Sequence, residues 1–213
     1  MRSVGLAGVV VGGAAALLAS CAQLPRPVVR SERAVEAQAW HARWAALEAD
    51  RAPLARKARA RLAYEALTMD VDRALALAEL GADFTEVERT GRAELAHAAI
   101  ALPDDAEVFE LMALWHSRLE HNPRAAVQAA CRAAAVSGGR ARYIELCGDA
   151  LKAAGEDDEA VEKWKAAVAA AAEPEHQFAL LDKIELTGHT RLNGLPEDVV
   201  RRYRSWKLER ARR

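Results

Sequence analysis

"EDDEAVEKWKAAVAA" (156–170) repeats the pattern of "NPRAAVQAACRAAAV" (122–136) after a shift of 34 positions, and this repetition decides the fold. The matched positions are Ala126 with Ala160, Ala130 with Trp164, and Ala133 with Ala167. They recur every three or four residues, which places their side chains on one face of a helix. Both stretches are therefore predicted to be helices that occupy equivalent places in a repeated unit.

Composition extends the helical prediction to the whole chain. The 213 residues are 52% hydrophobic but only 5% aromatic, and alanine supplies much of the apolar content. Alanine with Leu, Glu, Lys and Arg favours helices, and no stretch alternates apolar and polar residues as a half-buried strand does. We therefore predict an all-α fold, with breaks near Pro53, Gly81 and Pro103.

The period itself resembles that of the tetratricopeptide repeat (TPR), a helix–turn–helix unit of 34 residues. The clearest copy spans 141–174. Its matching positions are Gly148, Leu151, Gly155, Ala160, Trp164 and Ala167. The resemblance covers about 70–187, and it departs from the family at Gly91, within a helix, and at Ala130, where a large residue is usual. It implies about three stacked antiparallel helical hairpins, a TPR-like α-solenoid. A generic alanine-rich array of hairpins predicts the same stacking.

The N-terminus has the features of an export signal. Arg2 supplies a positive charge, and the uncharged stretch 4–18 contains four glycines and is too short for a membrane-spanning helix. Leu18-Ala19-Ser20-Cys21 resembles the lipobox of bacterial lipoproteins, which implies cleavage before Cys21 and a covalent lipid on its thiol. Ala22 stands where inner-membrane lipoproteins usually have aspartate, which indicates the periplasmic face of the outer membrane. The alternative is an ordinary export signal with an incidental cysteine.

These features divide the chain into five predicted segments. They are a lipoprotein signal peptide (1–20), the lipidated cysteine with an extended linker (21–30), N-terminal helices (31–69), TPR-like repeats (70–187) and a basic C-terminal helix (188–213).

Cys131 and Cys147 flank the turn "SGGR" (137–140) at equal distances. Residues equidistant from a hairpin turn lie at the same level on the two facing helices, within reach of a disulfide if their Cβ atoms converge. In an oxidising compartment a bond is favoured. The sequence leaves two possibilities, a Cys131–Cys147 disulfide or two buried free thiols.

Motifs for catalysis, metal binding or cofactor binding are absent from the sequence. It has no G-x-S-x-G, H-E-x-x-H or P-loop, and the spacing of His116 and His121 is poor for a shared metal. The formal net charge of −1 gives no basic field for nucleic acid. We therefore expect no enzyme activity, metal, small-molecule substrate or cofactor beyond the lipid on Cys21.

The C-terminal helix carries an apolar stripe, Val199, Tyr203 and Trp206, at helical spacing. Basic residues flank it, namely Arg201, Arg202, Arg204, Lys207 and Arg210. Either this helix caps the last repeat, as repeat arrays require, or it contacts anionic lipid or an acidic partner.

Together these patterns predict a membrane-anchored periplasmic scaffold that binds an envelope protein. The resemblance is to outer-membrane lipoproteins with TPR-like repeats, which serve the assembly of pili, secretion channels and barrel proteins. Phe109, Trp115 and Tyr143, on the inner helices of the pairs, are the predicted partner-binding aromatics. The alternatives are a structural lipoprotein that links membrane to cell wall and a regulatory subunit of a peptidoglycan enzyme.

Overall fold

The computed structural model describes residues 27–188 and 192–212, and within these ranges it contains ten α-helices and no strand. The helices are α1 (Pro27–Glu48), α2 (Pro53–Thr68), α3 (Val71–Glu79), α4 (Phe84–Ala101), α5 (Ala106–Arg118), α6 (Pro123–Val136), α7 (Ala141–Ala153), α8 (Asp157–Ala170), α9 (Pro174–Leu186) and α10 (Glu197–Ala211). The prediction of an all-α fold is confirmed. The predicted signal peptide and Cys21 lie outside the described residues.

Helix α1 begins earlier than the sequence indicates. It starts at Pro27, so the last four residues of the predicted extended linker are helical. Proline suits the first turn of a helix, because the N–H that it lacks would have no partner there. The linker prediction is therefore wrong for 27–30.

The second half of the chain packs as consecutive pairs. Helix α5 packs against α6, α7 against α8, and α6 against α7, while α9 packs against α8. The α7–α8 contact depends on Gly148 and Trp164, because a Cβ atom on Gly148 would lie 2.6 Å from the Trp164 ring. The small and large positions that the repeat pattern identifies are thus in direct contact.

The first predicted pair is arranged differently. Helix α4 packs chiefly against α2, and the nine-residue α3 packs against α1. Gly91 permits this arrangement, since a Cβ atom there would lie 2.3 Å from the Ala63 Cβ of α2 and 2.8 Å from the Trp115 ring. The glycine that departs from the repeat pattern is therefore the point at which α4 meets α2 and α5.

Candidate functional site

Two of the three aromatic residues predicted to contact a partner are buried. Trp115 is 1% exposed and Tyr143 is 0% exposed. The Arg140 and Arg142 guanidinium groups lie 4.7 Å and 4.6 Å from the centroid of the Tyr143 ring, and so help to cover it. Phe109 is half-buried. The prediction is wrong for Trp115 and Tyr143, because both rings fill space between helices.

Ion pairs connect α2, α5, α7 and α9, and this set includes the helices on which we expected a partner to bind. The pairs are Lys57 with Asp105 (2.7 Å) and Glu107 (2.7 Å), Arg142 with Glu110 (2.5 Å), Lys183 with Glu145 (2.6 Å) and Asp149 (2.7 Å), and His176 with Glu145 (2.7 Å). We call this series the ion-pair ladder. Its charged groups are already paired within the chain, so they favour a role in stacking the helices over a role in binding a partner.

One part of the ladder surrounds Lys183. Its Nζ lies 2.7 Å and 2.8 Å from the two Asp149 oxygens, and Asp149 Oδ1 also accepts a hydrogen bond from Trp164 Nε1 at 2.9 Å. Burial alone would raise the pKa of Glu145, but hydrogen bonds from Lys183 and His176 outweigh it and lower that pKa. Burial opposes the charge on Lys183, yet the two carboxylates raise its pKa. This network joins α7, α8 and α9.

The lowered pKa of Glu145 predicts that acid destabilises the protein. The unfolded chain binds more protons than the folded one, so the free energy of unfolding falls as the pH drops through the folded-state pKa. The stabilisation is fully present above the unfolded pKa of about 4.3. Urea unfolding at pH 7 and pH 3 should show this decrease, and Glu145→Gln should reduce its size. Glu162→Gln, at an exposed pair with Lys165, is the matched control and should leave the decrease unchanged.

Cys131 and Cys147 form a disulfide in the structure. The bond joins α6 to α7, and the two Cα atoms are 4.6 Å apart. Cys147 is completely buried, whereas Cys131 is half-buried. Of the two possibilities that the sequence leaves, the structure has the disulfide.

Helix α10 docks on α9 through its apolar stripe. Tyr203 is buried, and its ring and that of Trp206 pack against Phe178. The Tyr203 hydroxyl lies 2.6 Å from Asp182 Oδ1 and 3.0 Å from Glu185 Oε2, and burial together with these carboxylates raises its pKa. Because the stripe is occupied by α9, the packing favours the capping interpretation of this helix.

The basic residues of α10 point away from most of this contact. Arg201, Arg202, Arg204, Lys207 and Arg210 are all exposed. Lys207 pairs with Glu185, Arg202 lies 3.4 Å from Asp198, and Arg210 lies over the Trp206 ring. The outward side of α10 therefore presents a positive surface.

A group of exposed aliphatic residues lies at the other end of the chain, between α1 and α3. A cleft of about 470 Å³ there is lined by Arg33, Ala34, Asp72, Leu75, Ala76, Glu79 and Leu80. Leu75 is 57% exposed and Leu80 is 44% exposed, and Val71, one turn before Leu75, is 74% exposed. We call this region the α1–α3 surface. Exposed aliphatic residues grouped in this way are typical of a binding surface.

Helix α1 is fixed beside this surface by a small number of contacts. Trp40 is buried and donates a hydrogen bond from Nε1 to the Leu62 carbonyl at 3.0 Å. Arg33 pairs with Asp72 at 2.5 Å, and Arg73 pairs with Glu36 at 2.9 Å. A second cleft, of about 510 Å³, lies between α1, α2 and α3, and Arg33 lines both clefts. Helix α1 therefore forms one wall of each cleft.

Among residues 27–188 and 192–212, no group of His, Cys, Asp and Glu could hold a metal ion. No helix in the same ranges is both long and apolar enough to cross a membrane. Lipidation of Cys21 lies outside the described residues.

Comparisons with known proteins find no match. No protein-family model, no curated protein and no solved structure is significantly similar to the chain.

Sequence reasoning missed the α1–α3 surface. Val71 and Leu75 are four residues apart, a spacing that reads equally well as a buried helix face. In the structure Leu77 is the buried residue of α3, so the two aliphatic residues face outward. The acidic residues Asp72 and Glu79 lie on the same side of α3 as Val71 and Leu75. Because acidic side chains are rarely buried, they indicate that this side of the helix is exposed.

Proposed function

We propose that the chain is an exported lipoprotein, anchored through Cys21, whose stacked TPR-like helices hold a protein partner at the α1–α3 surface. The exposed aliphatic cleft between α1 and α3 is the observation that carries the proposal. It supplies apolar area for docking, whereas the ion-pair ladder on the other candidate face is satisfied within the chain.

The disulfide supports the export part of the proposal. Disulfides form and persist in oxidising compartments such as the bacterial periplasm, and are rare in the cytosol. A chain with a Cys131–Cys147 bond and a lipobox-like sequence is consistent with secretion followed by lipidation. Two or more acyl chains would then give stable attachment.

The position of the α1–α3 surface fits an anchored scaffold. Six residue steps separate Cys21 from Pro27, so the start of α1 lies within about 20 Å of the lipid-bearing residue even when the linker is fully extended. A partner bound at this surface would be held close to the membrane. The role is that of an adaptor for the assembly of an envelope machine.

The proposal is tested in intact cells with a photo-crosslinking phenylalanine analogue in place of Leu75. We expect the chain in the membrane fraction, cross-linked to a protein of defined mass. Ile100 is the matched control, because it is an exposed aliphatic residue on α4, 79% exposed, outside the α1–α3 surface. In a Cys21→Ser variant, the chain should leave the washed membrane fraction.

Two results would contradict the proposal. Equal cross-linking at positions 75 and 100 would show that the α1–α3 surface is not a specific binding site. Retention of Cys21→Ser in the membrane fraction, with no lipid found on Cys21 of the wild-type chain by mass spectrometry, would remove the anchor.

A further inference from the structure

The outward side of α10 carries a regular basic pattern. Arg201, Arg204, Leu208 and Arg212 follow one another at i, i+3, i+7 and i+11, which places them on one side of the helix. This side is opposite to the stripe that docks on α9. All four residues are exposed, Leu208 by 62%. Glu197 lies on the same side, one turn before Arg201. Because the side carries three arginines and one acid, its net charge is positive.

These arginines are available to a partner. Within the described residues, none of the Arg201, Arg204 and Arg212 guanidinium groups forms an ion pair, although Arg204 contributes to the positive field at Glu185. Three such cations around one exposed leucine favour an anionic surface that also offers an aliphatic contact.

The outward side of α3 has the complementary pattern. Val71, Asp72, Leu75 and Glu79 lie on the side opposite to the buried Leu77, and all four are exposed. Glu79 has no ion pair within the described residues. Asp72 pairs with Arg33, yet 56% of its side chain stays exposed.

The dimensions of the two patterns agree. Along a helix the rise is about 1.5 Å per residue, so Asp72 and Glu79 are separated by about 10.5 Å and Arg204 and Arg212 by about 12 Å. Leu75 lies between the two acids, and Leu208 lies between the two arginines. Two such helices placed side by side and antiparallel would therefore bring Arg204 to Glu79, Arg212 to Asp72 and Leu208 to Leu75 together.

The two patterns are not in contact within one chain. Helix α3 packs against α1, and α10 packs against α9. In the series of contacting helices, α3 is therefore near one end and α10 is at the other. The complement of the α3 surface must then be supplied by another molecule.

We propose that the α3 face of one copy of this chain binds the α10 face of a second copy, so that the scaffold assembles head to tail. This inference rests on the proposed function, because it names the partner of the α1–α3 surface. The two faces are different, so the contact is heterologous and produces rings or filaments instead of a closed twofold dimer.

The test is disulfide cross-linking of the full chain in cells. A variant with Leu75→Cys and Leu208→Cys should give dimers and longer multimers on a non-reducing gel. The matched control combines Ile100→Cys with Leu208→Cys, which keeps the same number of thiols and should give monomer. Adding Arg204→Glu should reduce the cross-linked fraction by about fivefold or more, because it replaces an attraction to Glu79 by a repulsion. Adding Glu79→Arg to that variant should restore it.

Several outcomes would overturn the inference. They are the absence of multimers, an equal yield in the control, and a yield that Arg204→Glu does not change. If the photo-crosslinker at position 75 captures only a different protein, the proposed function stands and self-assembly is wrong. If it captures nothing, both fail. If the Leu75→Cys, Leu208→Cys chain forms no multimers, and Arg204→Glu weakens the binding of the chain to vesicles containing phosphatidylglycerol, the α10 face is assigned to a membrane surface instead.

Discussion

Replacement of Glu94 by alanine is expected to lower the free energy of unfolding by about 3–5 kcal/mol, one of the largest effects available in this fold. Glu94 of α4 is 5% exposed and Arg59 of α2 is 2% exposed. Glu94 Oε1 accepts a hydrogen bond from Arg59 Nη1 at 2.7 Å, and Glu94 Oε2 accepts one from Arg56 Nη1 at 3.2 Å. Without the carboxylate, a guanidinium stays buried with no anion to balance it.

The arrangement around Glu94 increases this cost. Arg51 also lies 3.6 Å from Glu94, so one carboxylate serves three arginines. Arg59 Nη2 donates to the Asp50 carbonyl at 3.1 Å, but its Nε is buried without a hydrogen-bond partner among the described residues. The alternative contacts of Arg59 are therefore too few to replace Glu94.

Chemical denaturation provides the measurement, with Glu88→Ala as the control. Glu88 lies on the same helix and pairs with Arg92 at 3.4 Å, but both side chains are about half exposed. An exposed pair of this kind contributes about 0–1 kcal/mol. A loss for Glu94→Ala no larger than that for Glu88→Ala would show that the buried pair does not hold α2 against α4. Glu94→Leu with Arg59→Met should recover much of the loss, since apolar residues of similar volume often replace a buried pair well.

The helical pairs of the second half were accessible to sequence reasoning because their contacts are local and periodic. Gly148 and Trp164 are 16 residues apart, and the repeat pattern matches both to positions where two helices touch. The same hairpin symmetry predicted that Cys131 and Cys147 lie at the same level, although the sequence left open whether they form a bond. In each case one short turn sets which residues face each other, so spacing along the chain predicts contact in space.

The first half was predicted less well because its contacts are not local. Arg59 and Glu94 are 35 residues apart, and the intervening α3 packs against α1 instead of α4. No periodic pattern in the sequence predicts that α4 packs against α2 and α3 against α1. Gly91 permits the close approach of α4 to α2, but in the sequence it indicates only a residue that lowers the stability of a helix.

Burial explains the error at the predicted site. Aromatic residues are equally suited to a core and to an interface, and the repeat pattern does not distinguish the two. Trp115 and Tyr143 proved to be core residues, whereas the exposed aliphatic residues lie on the short helix α3. The exposed side of a helix is set by its neighbours, and for α3 that neighbour is α1.

The second large effect is expected on removal of the Cys131–Cys147 disulfide. In the double variant Cys131→Ala with Cys147→Ala, the free energy of unfolding should fall by about 3 kcal/mol, because the bond closes a loop of 16 residues and limits the unfolded chain. Replacing both cysteines avoids a new free thiol. Urea unfolding of the oxidised wild type and the double variant gives the difference.

A reducing agent separates the effect of the bond from that of the lost sulfur atoms. Dithiothreitol should destabilise the wild type by a similar amount and leave the double variant unchanged. Equal stability of reduced and oxidised wild type, or alkylation of both thiols in protein taken from an oxidising compartment, would contradict the prediction. Domains are typically stable by about 5–15 kcal/mol, so a loss of about 3 kcal/mol raises the unfolded fraction more than a hundredfold. The chain should therefore be degraded faster when it is retained in a reducing compartment than when it is exported.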